Sequence, residues 1–129
     1  MSLDISLHQE AEYNTEVYEA NITHNLRKMA GKVVCLSIEE YRDINDKRFA
    51  YSTKEITLYD ILWHGSGQSA KVIAPMLEVG LKELKENEVE LCEYIPENGW
   101  GSYAGLIKFT QELLFACKEF PETTLWCHK

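Results

Sequence analysis

The chain has 129 residues, 45% of them hydrophobic, and a formal net charge of −8 from 13 Lys and Arg against 21 Asp and Glu. This length and composition suit one domain, residues 1–129, with a core that needs no metal or disulfide staple. They argue against a membrane protein, since no run reaches the roughly 18 apolar residues of a spanning helix, and against nucleic-acid binding, since the acidity repels phosphates and the basic residues are scattered apart from Arg27-Lys28 and Lys47-Arg48.

Met1-Ser2-Leu3-Asp4 lacks the basic-then-apolar layout of a signal peptide, so a cytoplasmic location is expected. Leu3, Ile5 and Leu7 then alternate with Ser2, Asp4, Ser6 and His8, the period-two pattern of a strand with one buried face. Glu10 to Thr15 is polar and turn-like. Val17, Tyr18 and Ala20 suit a second strand closing a hairpin, although Glu16 and Glu19 interrupt its pattern. Thr23 is placed to cap a helix that carries Leu26, Met29 and Ala30 on one face and stops or breaks at Gly31.

The stretch from Val33 to Tyr51 is the least regular: Val33-Val34-Cys35-Leu36 suits a strand or a continued helix equally, and Glu39 to Asp46 leans towards helix. Thr57 caps a helix presenting Leu58, Ile61 and Leu62 and ended by Gly65. Ile73, Leu77, Leu81 and Leu84 recur at helical spacing over Ser69 to Glu86, where Pro75 fits only in a first turn or at a kink. Asn87 caps a short helix through Tyr94, ended by Pro96. Ser102 opens the last long helix, whose stripe of Leu106, Phe109, Leu113, Cys117 and Phe120 stops at Pro121. Thr123-Thr124-Leu125-Trp126-Cys127 is β-branched and aromatic, a closing strand. The fold class expected is α+β: a small antiparallel sheet made by the two chain ends, with three or four helices packed on one face.

Two clusters are richer in polar and aromatic groups than packing requires. In Asn21-Ile22-Thr23-His24-Asn25-Leu26, a cap at Thr23 places His24 and Asn25 in a first helical turn, beside N–H groups that attract anions; the same residues also serve simply as caps and local backbone partners. In Pro96-Glu97-Asn98-Gly99-Trp100-Gly101-Ser102-Tyr103, a glycine-flanked turn offers Trp100 and Tyr103 as a ligand platform, or folds Trp100 onto the core as a plug. Asn21, Thr23, His24, Asn25, Asn98, Trp100 and Tyr103 are therefore the candidate ligand-binding residues. No metal or other cofactor is implied. Cys35, Cys92, Cys117 and Cys127 contain no CxxC pair and are expected as thiols, and adjacent Cys127 and His128 on a strand point to opposite faces, although paired terminal strands would bring His8 towards His128.

The same two clusters carry a resemblance. Asn21, Thr23, His24, Asn25, Leu26 and Met29, with Asn98, Gly99, Trp100, Gly101, Tyr103, Gly105 and Leu106, resemble a family of short bacterial and phage-associated proteins with an Asn-x-Thr-His-Asn-Leu motif and an Asn-Gly-Trp-Gly-x-Tyr motif. The likeness takes in the first strand, the first helix and the chain from about Leu58 onward; it departs in Val33 to Glu55, which looks longer here, and at Arg27, where a glycine is more usual. The resemblance implies no reaction, cofactor or partner, but it suggests that the two clusters meet in the fold beside the sheet. No catalytic constellation is complete, so the function expected is a non-enzymatic binding or accessory protein that uses an acidic surface to engage another protein. The alternative is a small enzyme or ligand-binding domain centred on His24 and Asn25, with the Asn98 to Tyr103 loop shaping its pocket.

Overall fold

Strand alternation at the N-terminus leads directly to the sheet. In the computed structural model, which describes residues 2–10, 14–37, 55–99 and 101–128, β1 (Ser2–Glu10) pairs antiparallel with β2 (Asn14–Thr23) on one side and with β5 (Thr124–His128) on the other, in the order β2-β1-β5. The two chain ends thus share one sheet. Leu3, Ile5 and Leu7 are fully buried on its inner face with Leu125, each contributing about 1.5–3 kcal/mol by leaving water. The far edge of β5 is occupied as well: Gly67 N–H donates to the Leu125 carbonyl and Leu125 N–H to the Gln68 carbonyl, both at 2.8 Å. Covering that edge removes a site of strand-to-strand aggregation.

The hairpin contains a register shift. Leu7 lies opposite Tyr18 but His8 lies opposite Glu16, leaving Val17 as an extra residue on β2. This bulge changes which side chains reach the outer face. Tyr18, Ala20 and Ile22 turn inwards towards the core, while Glu16 joins Glu19 and Asn21 outside. Straight alternation would have put a valine there.

After β2 the chain makes a 3-10 turn, His24–Leu26, and a single turn of helix α1 (Arg27–Ala30), with Met29 and Ala30 fully buried. The ambiguous apolar run is resolved as strand β3 (Val34–Leu36), paired antiparallel with β4 (Ile56–Thr57) in a second, two-stranded sheet. The helix expected at Glu39 to Asp46 lies outside the described residues. Helix α2 (Leu58–His64) begins with a capping box: Asp60 N–H donates to Thr57 Oγ1 at 3.3 Å and Thr57 N–H to Asp60 Oδ2 at 2.9 Å, an arrangement worth about 1 kcal/mol.

Helix α3 (Ala70–Glu86) is the longer periodic helix, and Pro75 sits beyond its first turn with its ring exposed to solvent. There its missing N–H removes one helical bond. Then come the single turn α4 (Glu88–Leu91), a 3-10 turn at Cys92–Tyr94, and α5 (Tyr103–Glu119), whose cap Ser102 accepts from Gly105 N–H at 2.9 Å. Leu106, Leu113 and Cys117 of α5 are fully buried. Helix α3 packs so closely on β3 that a Cβ at Gly80 would stand 2.6 Å from Cys35 Sγ. Any larger residue there would force that thiol to shift. The molecule is α+β, with its helices on the inner side of the terminal sheet, and no helix among the described residues is long and apolar enough to cross a membrane.

Candidate functional site

The first polar cluster is largely engaged with its own neighbours. Thr23 caps the 3-10 turn, its Oγ1 accepting from Asn25 N–H at 3.3 Å and from the Asn25 side-chain amide at 3.1 Å. His24 is half-buried and accepts a 2.8 Å hydrogen bond at Nδ1 from the indole Nε1–H of Trp63. That bond places the proton of the neutral imidazole on Nε2. Trp63, itself buried and stacked on Tyr59 at a centroid distance of 5.6 Å, is the partner at this junction that the sequence did not flag. Its only cue was an amphipathic polar tip on an apolar helix face.

The second cluster touches the first through a glycine. Gly101 has φ +118, and a Cβ there would lie 2.9 Å from both Thr23 Cγ2 and Leu26 Cγ. Backbone in that region is nearly closed to other residues, so the loop seats its bare Cα on the junction. Tyr103 goes elsewhere: its hydroxyl donates to the Leu84 carbonyl near the end of α3, and burial pushes its pKa up, aided by Glu88. Asn98 is exposed in the turn, and Trp100 lies outside the described residues. The structure therefore brings the Asn98 to Tyr103 loop and the Thr23 to Leu26 turn into contact at Gly101, while Tyr103 ties α5 to α3.

Asn21 belongs to a different place. It lines a cavity of about 600 Å³ on the outer face of the terminal sheet, together with Asp4, Ser6, His8, Glu16, Glu19, Trp126 and His128. The strand register explains the shape. Across one row stand Glu19, Ser6 and Trp126; across the next, Asn21, Asp4 and His128. Small side chains on the central strand between long ones on its neighbours leave a trough, its walls two strand spacings or about 9.5 Å apart. Carboxylates and an amide form the β2 wall, and aromatic rings form the β5 wall.

The aromatic wall is held in place. His8 stacks on Trp126 with centroids 4.1 Å apart and planes 18° apart, and His128 meets the indole edge-on at 6.0 Å. His8 Nε2 also lies 2.8 Å from Ser6 Oγ, which is buried beneath the rings. The expected approach of His8 to His128 does not occur: the register sets His8 opposite Thr124 and His128 opposite Asp4, four residues or about 13 Å apart along the ladder, each touching Trp126. Among the described residues no group of three or more His, Cys, Asp or Glu side chains is arranged to hold a metal. Among the described residues, Asp4, Glu16 and Glu19 form no ion pair.

A second acidic cavity, about 360 Å³, is lined by Glu83, Glu90, Glu93, Asn87, Tyr94 and Lys32. It contains its own cation: the Lys32 ammonium sits 5.6 Å over the Tyr94 ring. The thiols offer no nucleophile at neutral pH in the core. Burial pushes Cys35 up to about 12, with Asp60 and Glu83 adding to it, and burial alone pushes Cys117 up to about 12. Compared with family models, with curated proteins and with solved structures, the chain matches none.

Proposed function

We propose that the protein is a non-enzymatic binding or accessory protein, of the bacterial and phage-associated kind its two motifs resemble, which takes a basic segment of another protein into the trough on its outer sheet face. The observation that carries this is the set of three carboxylates, Asp4, Glu16 and Glu19, which form no ion pair among the described residues and share one cavity with an aromatic wall. Such a surface steers cations and repels phosphates. The Ser6–His8 contact does not make it a hydrolase, because Ser6 lies on the central strand, whose N–H groups are committed to ladders on both sides. None remains to stabilise an oxyanion.

The test is a calorimetric titration with a mixed Lys/Arg dodecapeptide. Wild type is expected to bind it with an affinity that falls as salt rises, and the triple variant Asp4→Asn, Glu16→Gln, Glu19→Gln to bind about tenfold more weakly, three partly exposed charge contacts being lost. These side chains are exposed, so the variant should fold. Equal affinity in the two proteins would remove the trough from the account.

One observation favours a second reading, a small-ligand site or small enzyme around His24 and Asn25. The Nε2 atom of His24 has no hydrogen-bond partner among the described residues, and its Nε2–H would be available as a donor. On the first reading, His24→Ala leaves peptide affinity unchanged.

A further inference from the structure

Resting on the proposed binding role, we infer that the trough selects the guanidinium of an arginine side chain over a lysine ammonium. Its two walls ask for two properties at once. The β2 wall and the Asp4 floor supply carboxylate oxygens from three side chains, with the Asn21 amide beside them, and among the described residues none of these carboxylates is neutralised from within the chain. The β5 wall supplies the indole of Trp126, clamped by His8 at 4.1 Å and by His128 at 6.0 Å.

An ammonium ion is drawn to both walls by its charge alone, as Lys32 is to the Tyr94 ring at 5.6 Å, and makes no flat contact with either. It is compact and strongly hydrated, so it keeps its water and interacts as a point charge. A guanidinium is planar and less hydrated; it can present its N–H edges to carboxylates while its face lies against an aromatic ring. His8 already covers one face of the indole, so a guanidinium stacks on the opposite face, and the existing stack lowers the side-chain order that this contact costs.

The molecule contains a filled version of the same arrangement. Around Tyr94, the carboxylates of Glu83, Glu90 and Glu93 line a cavity whose ring is covered by the chain's own Lys32. Aromatic ring, acidic rim and cation occur there together. On the sheet face the ring and the acidic rim are present, and the cavity is larger, about 600 Å³ against 360 Å³. A phosphate-bearing ligand would meet Asp4, Glu16 and Glu19, which makes the nucleic-acid alternative the poorer fit.

The test compares hexa-arginine with hexalysine, peptides of equal charge, by calorimetry on the full chain. Wild type should bind hexa-arginine about five- to tenfold more tightly, a ratio set by the aromatic contact. Trp126→Leu should bring the ratio close to one while retaining charge-driven binding of both peptides. Since Trp126 is half-buried, His128→Ala at the exposed end of the wall serves as the second variant, and it should lower the ratio without lowering the thermal midpoint. Equal affinities in wild type would overturn the guanidinium preference and leave the broader binding role standing. A ratio unchanged in both variants would also overturn it, by placing the selectivity elsewhere. Failure of both peptides to bind would overturn the inference and the binding role together.

Discussion

His24 attracts notice in the sequence because it sits among Asn21, Thr23 and Asn25, yet its Nδ1 is satisfied by Trp63, 39 positions away. A partner at that distance cannot be read from local spacing. Asn21, Thr23 and Asn25 were legible as a cap and its surroundings, and Thr23 and Asn25 do bond one another; what separates Asn21 from them is strand geometry, which turns it onto the sheet face. Cysteine chemistry was more legible, since Cys117 lies on an apolar helical stripe. With the pKa values of Cys35 and Cys117 raised to about 12 from an ordinary 9.0, the folded state holds two protons that the unfolded state releases between those limits. Their contribution is therefore fully present below about pH 9 and is lost as pH rises towards 12, at up to about 2.7 kcal/mol per pH unit for the two thiols. Tyr18, raised by burial first and by Glu112 second, acts in the same direction. Urea midpoints measured from pH 8 to 10.5 should fall steeply, and Cys117→Ala should roughly halve the thiol part of that slope; a flat profile would mean the thiols are not held neutral by burial.

At the level of elements, the legible parts were those with a clear period. β1 showed period two, α3 and α5 showed helical spacing, and Thr57, Ser69, Asn87 and Ser102 marked four starts that the structure places at or beside helix N-termini. β2 was harder to read because Val17 is an extra residue in the ladder. The shift breaks alternation, so Glu16 and Glu19 seem to interrupt a strand when both in fact serve its outer face. Val33-Val34-Cys35-Leu36 is apolar throughout, and only pairing with Ile56–Thr57 and the approach of α3 decide for a strand. That approach is testable. Gly80→Ala should destabilise the protein by about 1–3 kcal/mol through overpacking against Cys35 Sγ, 2.6 Å from the new Cβ, or roughly 3–10 °C in thermal midpoint at this size. Adding Cys35→Ala should recover part of the loss, so that the two substitutions are not additive. Strict additivity would show that helix and strand separate there without resisting.

Across the whole molecule, the trough exists only once the chain ends meet. Asp4 and Ser6 come from the first strand, Glu16, Glu19 and Asn21 from the second, and Trp126 and His128 from the last. Joining the two ends in one sheet was legible from composition and alternation, and that step already implied that Asp4, Ser6 and His8 share an outer face with Trp126. What it did not supply was the bulge that adds Glu16, or the small Ser6 between taller neighbours that makes a trough of a flat surface. The excess negative charge of −8 could be read as a preference for basic partners but had no address until the sheet was assembled. The apolar side of the molecule has its own exposed feature, Phe115 at 70% exposure beside Phe120 and Tyr18, rimmed by Glu112 and Glu119.

The measurement that bears most directly on the central claim is a map of backbone and indole amide shifts in an NMR titration with hexa-arginine. The account predicts that the largest shifts fall on Asp4 to His8, on Glu16 to Asn21, and on the Trp126 indole N–H, with little change at Asn25 or Asn98. Shifts concentrated instead at Thr23, His24, Asn25 and Asn98 would contradict it and move the binding site to the junction beside Gly101.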